Sequence, residues 1–236
     1  MDKEKKVQTI FNAISGDYDH MNNIISLNQH TEWRNRTMKE MFLKEGHKIL
    51  DVCCGTGDWT IQLAKKAPGA SVTGLDFSEN MLEVAKGKVE DYVNITLLQG
   101  NAMDLPFEDD SFNFVTIGFG LRNLPDYRQA IEEFYRVLTP GGVLVVLETS
   151  TPENSIVNRG FDLYFGKVMP KIGGVIAGRT KEYEWLYEST STFLTKPELK
   201  DMMSSTGFAN IKILSHTLGT AATHIGYKPL GRVGSV

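Results

Sequence analysis

Two glycines and an aspartate stand at the ends of consecutive apolar runs, where together they could hold a nucleoside. Gly55 and Gly57 follow the run that begins at Lys48, and Asp76 ends the next run. Glycines let a ligand approach the backbone closely, and a helix starting near Asp58 would direct free N–H groups at the same place. A carboxylate at the end of the second strand can accept hydrogen bonds from both ribose hydroxyls. These residues predict a site for a ribose-bearing cofactor.

A parallel sheet is needed to bring these residues together, and the chain carries the pattern of one. Apolar strands alternate with helical repeats from Gly46 to Leu147, which is typical of an α/β fold with right-handed crossovers. The strands predicted after Asp76 are Ile95 to Leu98, Phe112 to Gly118 and Val143 to Leu147, and the predicted crossover helices are Ser78 to Val89 and Tyr127 to Leu138.

The remaining segments are predicted to add helices and a final hairpin to one domain. We expect a helical cap over residues 1–45, a cofactor-binding core over 46–150, a helical insert over 151–206 and a hairpin over 207–236. The cap should hold two helices, one with Val7, Ile10, Phe11 and Ile14 on its apolar face and one from about His30 to Leu43. The hairpin strands should be Ile211 to Ser215 and Leu218 to Tyr227.

Size and charge limit the classes of partner. The 236 residues are 41% hydrophobic and 23% charged, which is ordinary for a globular protein with one substantial core. The net charge of −4 gives no reason to expect nucleic acid as a partner. The charged first residues are unlike a secretory signal, and an apolar stretch of ~20 residues, long enough for a membrane span, is absent from the sequence. We expect a cytoplasmic protein.

The two cysteines do not indicate a disulfide or a metal site. Cys53 and Cys54 are adjacent, so a bond between them would be strained. No histidine or cysteine stands at ligand spacing from them. We therefore expect both thiols to pack in the interior and predict no metal.

The glycine spacing is weak evidence by itself, because Thr60 stands where a dinucleotide fingerprint has its third glycine. The order of later features adds to it: Asn101 and Ala102 after the third strand, then Pro140-Gly141-Gly142 before the fifth. This succession resembles the class I S-adenosylmethionine-dependent methyltransferases. The resemblance implies a three-layer, Rossmann-like α/β sandwich with seven mostly parallel strands and an antiparallel last strand. It implies a cofactor site made of Asp51, Gly55, Thr56, Gly57, Asp76, Asn101, Ala102 and Gly118.

Within that site the resemblance assigns different parts of the cofactor to different residues. Asn101 and Ala102 would flank the adenine, while Thr56 and Gly57 would line the methionine end. Gly118 stands where some relatives carry serine beside the cofactor, so a side-chain contact is expected to be lost there.

Two longer segments indicate which methyltransferases are most similar. The segment from Tyr18 to Trp33 and the segment from Arg136 to Ser150 resemble the two signatures of the ubiquinone/menaquinone biosynthesis C-methyltransferase family, with Thr139 in place of the usual lysine. The resemblance implies methyl transfer from S-adenosylmethionine to a ring carbon of an isoprenoid quinol. The short leader and the Cys53-Cys54-Gly55 turn look more like the menaquinone branch, whose acceptor is a naphthoquinol.

Other functions stay open at this point. The benzoquinol acceptor of the ubiquinone branch is one alternative. A small-molecule O- or N-methyltransferase is a second, and a non-catalytic module that only binds S-adenosylmethionine is a third.

The resemblance points to Arg122, Asn123 and Tyr18 as catalytic residues. Arg122 would stabilise the phenolate that forms on the acceptor, because a guanidinium stays charged and is a poor base. Alternatively, it pairs with a carboxylate such as Asp126. Asn123 would orient the ring oxygens, and Tyr18 would either hydrogen-bond a quinol oxygen or only pack.

Three histidines and one apolar segment are weaker candidates. His20, His30 and His224 could serve as general bases but are more often hydrogen-bonded spacers, although His224 is expected to be able to reach the acceptor. The segment from Leu163 to Lys181 has cations among apolar residues and no acidic residue, so it could rest on an anionic membrane surface. A buried helix pair is the alternative, and a homo-oligomer stays open.

Overall fold

Seven strands form one sheet in the computed structural model, which describes residues 3–163 and 180–231. The strands are β1 Lys48–Val52, β2 Ser71–Asp76, β3 Ile95–Gln99, β4 Phe112–Gly118, β5 Leu138–Thr149, β6 Ala209–His216 and β7 Ala221–Tyr227. Their order in the sheet is β3-β2-β1-β4-β5-β7-β6. Strand β7 is antiparallel to both neighbours, and the other pairs are parallel. The predicted mostly parallel sheet with an antiparallel last strand is confirmed.

The strand order reverses between β1 and β4, which is where an open α/β sheet forms its ligand crevice. Val52, the last residue of β1, is in register with Leu75 of β2 and with Ile117 of β4. The turn that follows Val52 therefore emerges between the carboxyl ends of two strands. This register brings Gly55 next to Asp76, and Gly118 lines the same crevice.

Nine α-helices lie in the two described ranges. They are α1 Lys3–Ile14, α2 Tyr18–Ser26, α3 Gln29–Glu40, α4 Asp58–Lys66, α5 Glu79–Val89, α6 Tyr127–Val137, α7 Ser155–Leu163, α8 Thr180–Ser191 and α9 Lys196–Thr206. Short 3-10 turns occupy Leu121–Asn123 and Thr217–Gly219.

The structure corrects the predicted number of cap helices and two predicted strand starts. Strand β5 begins at Leu138 rather than Val143, so Pro140, Gly141 and Gly142 lie within the strand. Residues 3–47 hold three helices rather than two, because Leu27 and Asn28 take left-handed conformations (φ 50° and 61°) and separate α2 from α3. Strand β7 begins at Ala221 rather than Leu218, since Leu218 has a φ of 59° and belongs to the turn. A positive φ of this kind interrupts both helices and strands.

Three helices that pack on the sheet begin where the sequence supplies a side chain that can cap them. The Ser78 hydroxyl accepts a hydrogen bond from the Met81 N–H, and the Asp126 carboxylate accepts one from the Gln129 N–H. Helix α9 begins with a reciprocal capping box between Thr195 and Glu198. Such caps satisfy N–H groups that have no partner within the helix.

Apolar side chains cover both faces of the sheet. One cluster joins β1, β4 and β5 to α6 and α9, with Leu50, Ile131, Phe134 and Met203 among its members. The other joins the opposite sides of the strands to α3 and α4, through Ile49, Trp33, Trp59 and Leu63. Two cores separated by one sheet make the predicted three-layer sandwich.

The amino-terminal helices close over the crevice. Ile14 and Met21, from α1 and α2, pack with Met81 of α5 in a third apolar cluster. Within the described ranges, no helix combines the length and apolar character that a bilayer crossing needs. The predicted membrane-contacting segment from Leu163 to Lys181 lies almost entirely outside the described residues.

Candidate functional site

A cavity of about 90 Å³ lies at the carboxyl ends of β1, β2 and β4. Seven of the predicted site residues line it: Tyr18, Gly55, Asp76, Asn101, Ala102, Gly118 and Asn123. We call this the first cavity. Residues far apart in the chain meet here because the sheet places the ends of their strands together.

The Asp76 carboxylate is fixed by two backbone groups. Its Oδ2 accepts a hydrogen bond from the Gly55 N–H, and its Oδ1 accepts one from the Ser78 N–H, each at 2.8 Å. Burial raises the pKa of this carboxyl. Because each carboxylate oxygen has two acceptor positions, capacity remains for two hydroxyl donors.

Asn101 and Ala102 form one end of the first cavity, after β3. The Asn101 Oδ1 accepts a hydrogen bond from the Met103 N–H at 2.9 Å, which fixes the side chain. Phe77 and Met103 line the same cavity. This apolar wall beside an amide suits a flat aromatic base.

Gly118 borders the first cavity through its backbone and packs against α4 on its other side. A β-carbon at this position would lie 2.7 Å from Cε3 of Trp59. Serine would therefore fit here only if Trp59 moved.

Asp51, Thr56 and Gly57 line neither this cavity nor the one described below. Asp51 is 1% exposed, and it accepts hydrogen bonds from the hydroxyls of Thr60 (2.7 Å) and Thr116 (2.8 Å). Burial raises its pKa to about 6. The three residues shape the turn between β1 and α4, where Gly57 has a φ of 81°.

A charged network, absent from the predictions, ties α2 to this turn. The Thr56 hydroxyl donates to Oδ1 of Asp19 at 2.5 Å, and Lys88 Nζ lies 2.8 Å from Oδ2 of the same residue. Lys88 also donates to Asp58. Burial lowers the pKa of Lys88, but hydrogen bonds to Asp19 and Asp58 outweigh that effect and raise it. The network holds the amino-terminal helices against the crevice.

A second cavity of about 260 Å³ adjoins the first at Phe119, which lines both. Its wall comes from α2, α3, the Leu121–Asn123 turn, the end of β5, α7 and the turn before β7. The main lining side chains are Ile25, His30, Trp33, Arg34, Phe119, Arg122 and Val157. The lining is largely apolar and aromatic, with two guanidinium groups.

Arg122 is buried beside the second cavity and paired with a carboxylate. Its Nη1 donates to Oε2 of Glu148 at 2.6 Å and to the Phe119 carbonyl at 2.9 Å. The predicted alternative partner, Asp126, is wrong, because that carboxylate caps α6 instead. Nε of Arg122 has no hydrogen-bond partner among the described residues.

Asn123, the next residue, lines the first cavity instead of the second. Its Nδ2 donates to the Phe119 carbonyl at 3.1 Å, and its Oδ1 accepts from Nε1 of Trp185 at 3.0 Å. One short turn thus supplies neighbouring residues to two adjoining cavities. Trp185, from α8, was not predicted.

Tyr18 extends from α2 into the first cavity, with its ring edge against Phe11. Burial raises the pKa of its hydroxyl. The phenol therefore stays neutral around pH 7 and can donate a hydrogen bond.

The three histidines differ in access. His20 is exposed, and His30 lines the second cavity, with Nδ1 2.6 Å from the Ser26 hydroxyl. His224 lines neither cavity, because it is 2% exposed within the sheet and its Nε2 bonds to the Lys196 carbonyl at 3.0 Å. The prediction that His224 can reach the acceptor is wrong.

Among residues 3–163 and 180–231, no group of three His, Cys, Asp or Glu side chains could hold a metal ion.

This sheet order and crevice define the class I methyltransferase fold. The structure matches that of an S-adenosylmethionine-dependent methyltransferase from Thermotoga maritima, a possible histamine N-methyltransferase, with a TM-score of 0.69 and 20% identity over 93% of this chain and 99% of that one. A phosphoethanolamine N-methyltransferase of Haemonchus contortus, in complex with S-adenosyl-L-methionine, matches with a TM-score of 0.64 and 17% identity, over 84% of this chain and 52% of that one.

Sequence comparison is more specific than the fold. The demethylmenaquinone methyltransferase of Staphylococcus saprophyticus is 53% identical over 227 residues, which cover 96% of this chain and 97% of that protein. The ubiE/COQ5 methyltransferase family matches residues 1–228. The chain belongs to this family.

Proposed function

We propose that this chain transfers a methyl group from S-adenosylmethionine to a ring carbon of demethylmenaquinol, which gives menaquinol. The observation that carries the proposal is the 53% identity, over nearly the whole chain, to a relative named for that activity. Two adjoining cavities, one beside a ribose-type carboxylate and one with an aromatic wall, supply a place for each reactant.

The first cavity holds the methyl donor. Asp76 binds the ribose hydroxyls, Asn101 and Ala102 flank the adenine, and Gly55 and Gly118 let the ligand approach the backbone. Asp51, Thr56 and Gly57 hold the turn that shapes the methionine end. When bound, S-adenosylmethionine supplies an electrophilic methyl group on a positively charged sulfur.

The second cavity holds the acceptor ring and favours its ionised form. A ring carbon becomes a good nucleophile only when the adjacent hydroxyl loses its proton, and a phenol has a pKa of about 10. Arg122 stabilises the resulting oxyanion, while its ion pair with Glu148 keeps the guanidinium oriented. Since a guanidinium does not accept a proton, water takes the hydroxyl proton. After methyl transfer the ring carbon would lose its hydrogen as a proton, which restores the aromatic ring, and S-adenosylhomocysteine would be the leaving group.

Asn123 and Tyr18 act between the two cavities. Asn123 is held by Phe119 and Trp185, and it orients the ring oxygens at the border with the first cavity. Tyr18 donates a hydrogen bond to an acceptor oxygen. Alignment of ring carbon and methyl group at about 3 Å lowers the barrier by several kcal/mol.

A direct test uses purified chain, labelled S-adenosylmethionine and a short-tailed demethylated naphthoquinol that is kept reduced. Methylation at ring carbon is expected. Methylation of a heteroatom, or tight donor binding without product, would contradict the proposal. Faster turnover of a benzoquinol would move the assignment to the ubiquinone branch.

The acceptor's isoprenoid tail gives a reason for contact with a membrane. We propose that the enzyme works at the cytoplasmic face, where the cations between Leu163 and Lys181 meet anionic headgroups. The chain should co-sediment with vesicles that contain anionic lipid and should not co-sediment with neutral vesicles. Equal sedimentation with both would contradict the electrostatic contact.

A further inference from the structure

Besides Arg122, the second cavity has another buried guanidinium group with nitrogens that lack hydrogen-bond partners. Arg34, on α3, lines this cavity and is 7% exposed. Its Nε and Nη1 make no hydrogen bond to any described residue. Its ion-pair partner is Asp58, at 3.6 Å, and Asp58 already accepts a hydrogen bond from Lys88. Buried polar groups without partners are costly, so they often mark a ligand site.

Two other arginines show that Arg34 is the least well paired. Arg122, which lines the same cavity, has only its Nε unpaired and is held by Glu148 and the Phe119 carbonyl. Arg36, on the same helix, is exposed and bonds to Glu32 at 3.0 Å. The inward-facing Arg34 has the least complete set of partners of the three.

The surroundings indicate the chemistry of the missing partner. Trp33 and Phe119 supply aromatic wall to the cavity, which suits a flat ring. Arg34 and Arg122 both line the second cavity. The two guanidinium groups therefore border one shared space. A planar ring with an oxygen for each of them would satisfy both.

We propose that Arg34 binds the second ring oxygen of the acceptor, opposite the hydroxyl that ionises beside Arg122. The inference rests on the proposed function and adds a specificity residue to it. In this arrangement the cavity selects rings with two para oxygens over rings with one. An arginine with only a structural role, as partner of Asp58, would not distinguish the two kinds of ring.

The test compares binding of two product-like ligands, so it does not depend on turnover. Calorimetry with S-adenosylhomocysteine present measures the affinity of 2-methylnaphthalene-1,4-diol, kept reduced, and of 2-methyl-1-naphthol. Wild type should bind the diol about 10- to 100-fold more tightly, the range expected for one hydrogen bond to a charged group. Arg34→Met should lose this preference by weakening only diol binding.

Arg36→Met is the matched control, because it removes the same charge from the same helix and should keep the preference. No preference in wild type, or an unchanged preference in Arg34→Met, would overturn the inference. Equal weakening of both ligands would also overturn it, since that is the structural outcome. If Arg34→Met does not fold, Arg34→Lys decides: a reduced preference supports the role, and an unchanged one overturns it.

The two proposals fail in different ways. Absence of methylation of the demethylated diol by wild type would contradict the proposed function. Normal methylation combined with an unchanged ligand preference in Arg34→Met would contradict only the role of Arg34.

Discussion

The two cavities are formed by different parts of the fold. The first is formed mainly by strand ends and backbone groups, with α1 and α2 closing one side, and its main carboxylate, Asp76, is held by two N–H groups. The second is formed by added helices and turns, and both of its guanidinium groups keep unpaired nitrogens. The sheet therefore provides a preformed place for a cofactor. We propose that the added segments bind the acceptor, so that acceptor specificity resides in the second cavity.

The largest expected effect comes from the second cavity and concerns turnover. Removal of Arg122 alone would leave Glu148 buried and unpaired, at a cost of about 3–5 kcal/mol, so the double variant Arg122→Met/Glu148→Gln is preferable. Its kcat should fall by about 10²- to 10³-fold, as for loss of one oxyanion-stabilising group. Steady-state kinetics measure this, and calorimetry should show unchanged donor affinity.

The single variant Glu148→Gln is the control, because it shows how much of the fall in kcat comes from loss of the carboxylate and not from loss of Arg122. Full turnover by the double variant would remove Arg122 from the chemistry.

The next effect belongs to the first cavity and concerns donor binding. Asp76→Ala should weaken S-adenosylmethionine binding by about 100-fold, because two hydrogen bonds to a charged group are lost. Calorimetry measures the affinity. Affinity for the naphthalene diol should stay the same, which would sharpen the division between the cavities.

Asp91→Ala is a suitable control, since this aspartate is exposed after α5. Wild-type donor affinity in Asp76→Ala would contradict the placement of the ribose.

A smaller effect shows whether Asp51 supports the turn beside the first cavity or touches the methyl donor itself. Asp51→Ala should lower the free energy of unfolding by about 2–4 kcal/mol, because the buried hydroxyls of Thr60 and Thr116 lose their acceptor. Urea denaturation measures it. Unchanged stability with a large loss of donor affinity would instead place Asp51 in contact with the ligand.

The smallest effect concerns His224, which lies in neither cavity. Burial lowers its pKa to about 4, so between about pH 4 and 6.5 the unfolded chain binds more protons than the folded one. The stability contribution of neutral His224 is therefore complete above about pH 6.5 and is lost as the pH falls toward 4. Wild type should lose about 2 kcal/mol through this group between pH 7 and pH 5.

Urea denaturation of wild type and His224→Gln at both pH values isolates this contribution, because Asp51 and the other titrating groups are common to both. An equal loss of stability in the two proteins would show that His224 is not the titrating group.

Much of the first cavity could be predicted from the sequence because its determinants are local. The strand from Phe112 to Gly118 was predicted with the bounds that it has, and Asp76 lies at a strand end as predicted. When neighbouring strands are parallel, their carboxyl ends lie at the same edge of the sheet. The glycine turn after one strand then lies beside the carboxylate at the end of the next. The predicted family and fold are confirmed by the family match and by the sheet order.

The second cavity could not be predicted in the same way because its contacts join distant residues. Glu148 reaches Arg122 through the pairing of β5 with β4, and Trp185 reaches Asn123 from α8. No spacing in the chain indicates these partners. The short α2, which supplies Tyr18, ends where Leu27 adopts a left-handed conformation, and a leucine gives no warning of that.

A crystal structure with S-adenosylhomocysteine and a short-tailed naphthalene diol tests the central division most directly. We expect the nucleoside in the first cavity, with its ribose on Asp76, and the ring in the second cavity between Phe119 and the two arginines. A ring bound elsewhere, or a nucleoside without contact to Asp76, would contradict this account.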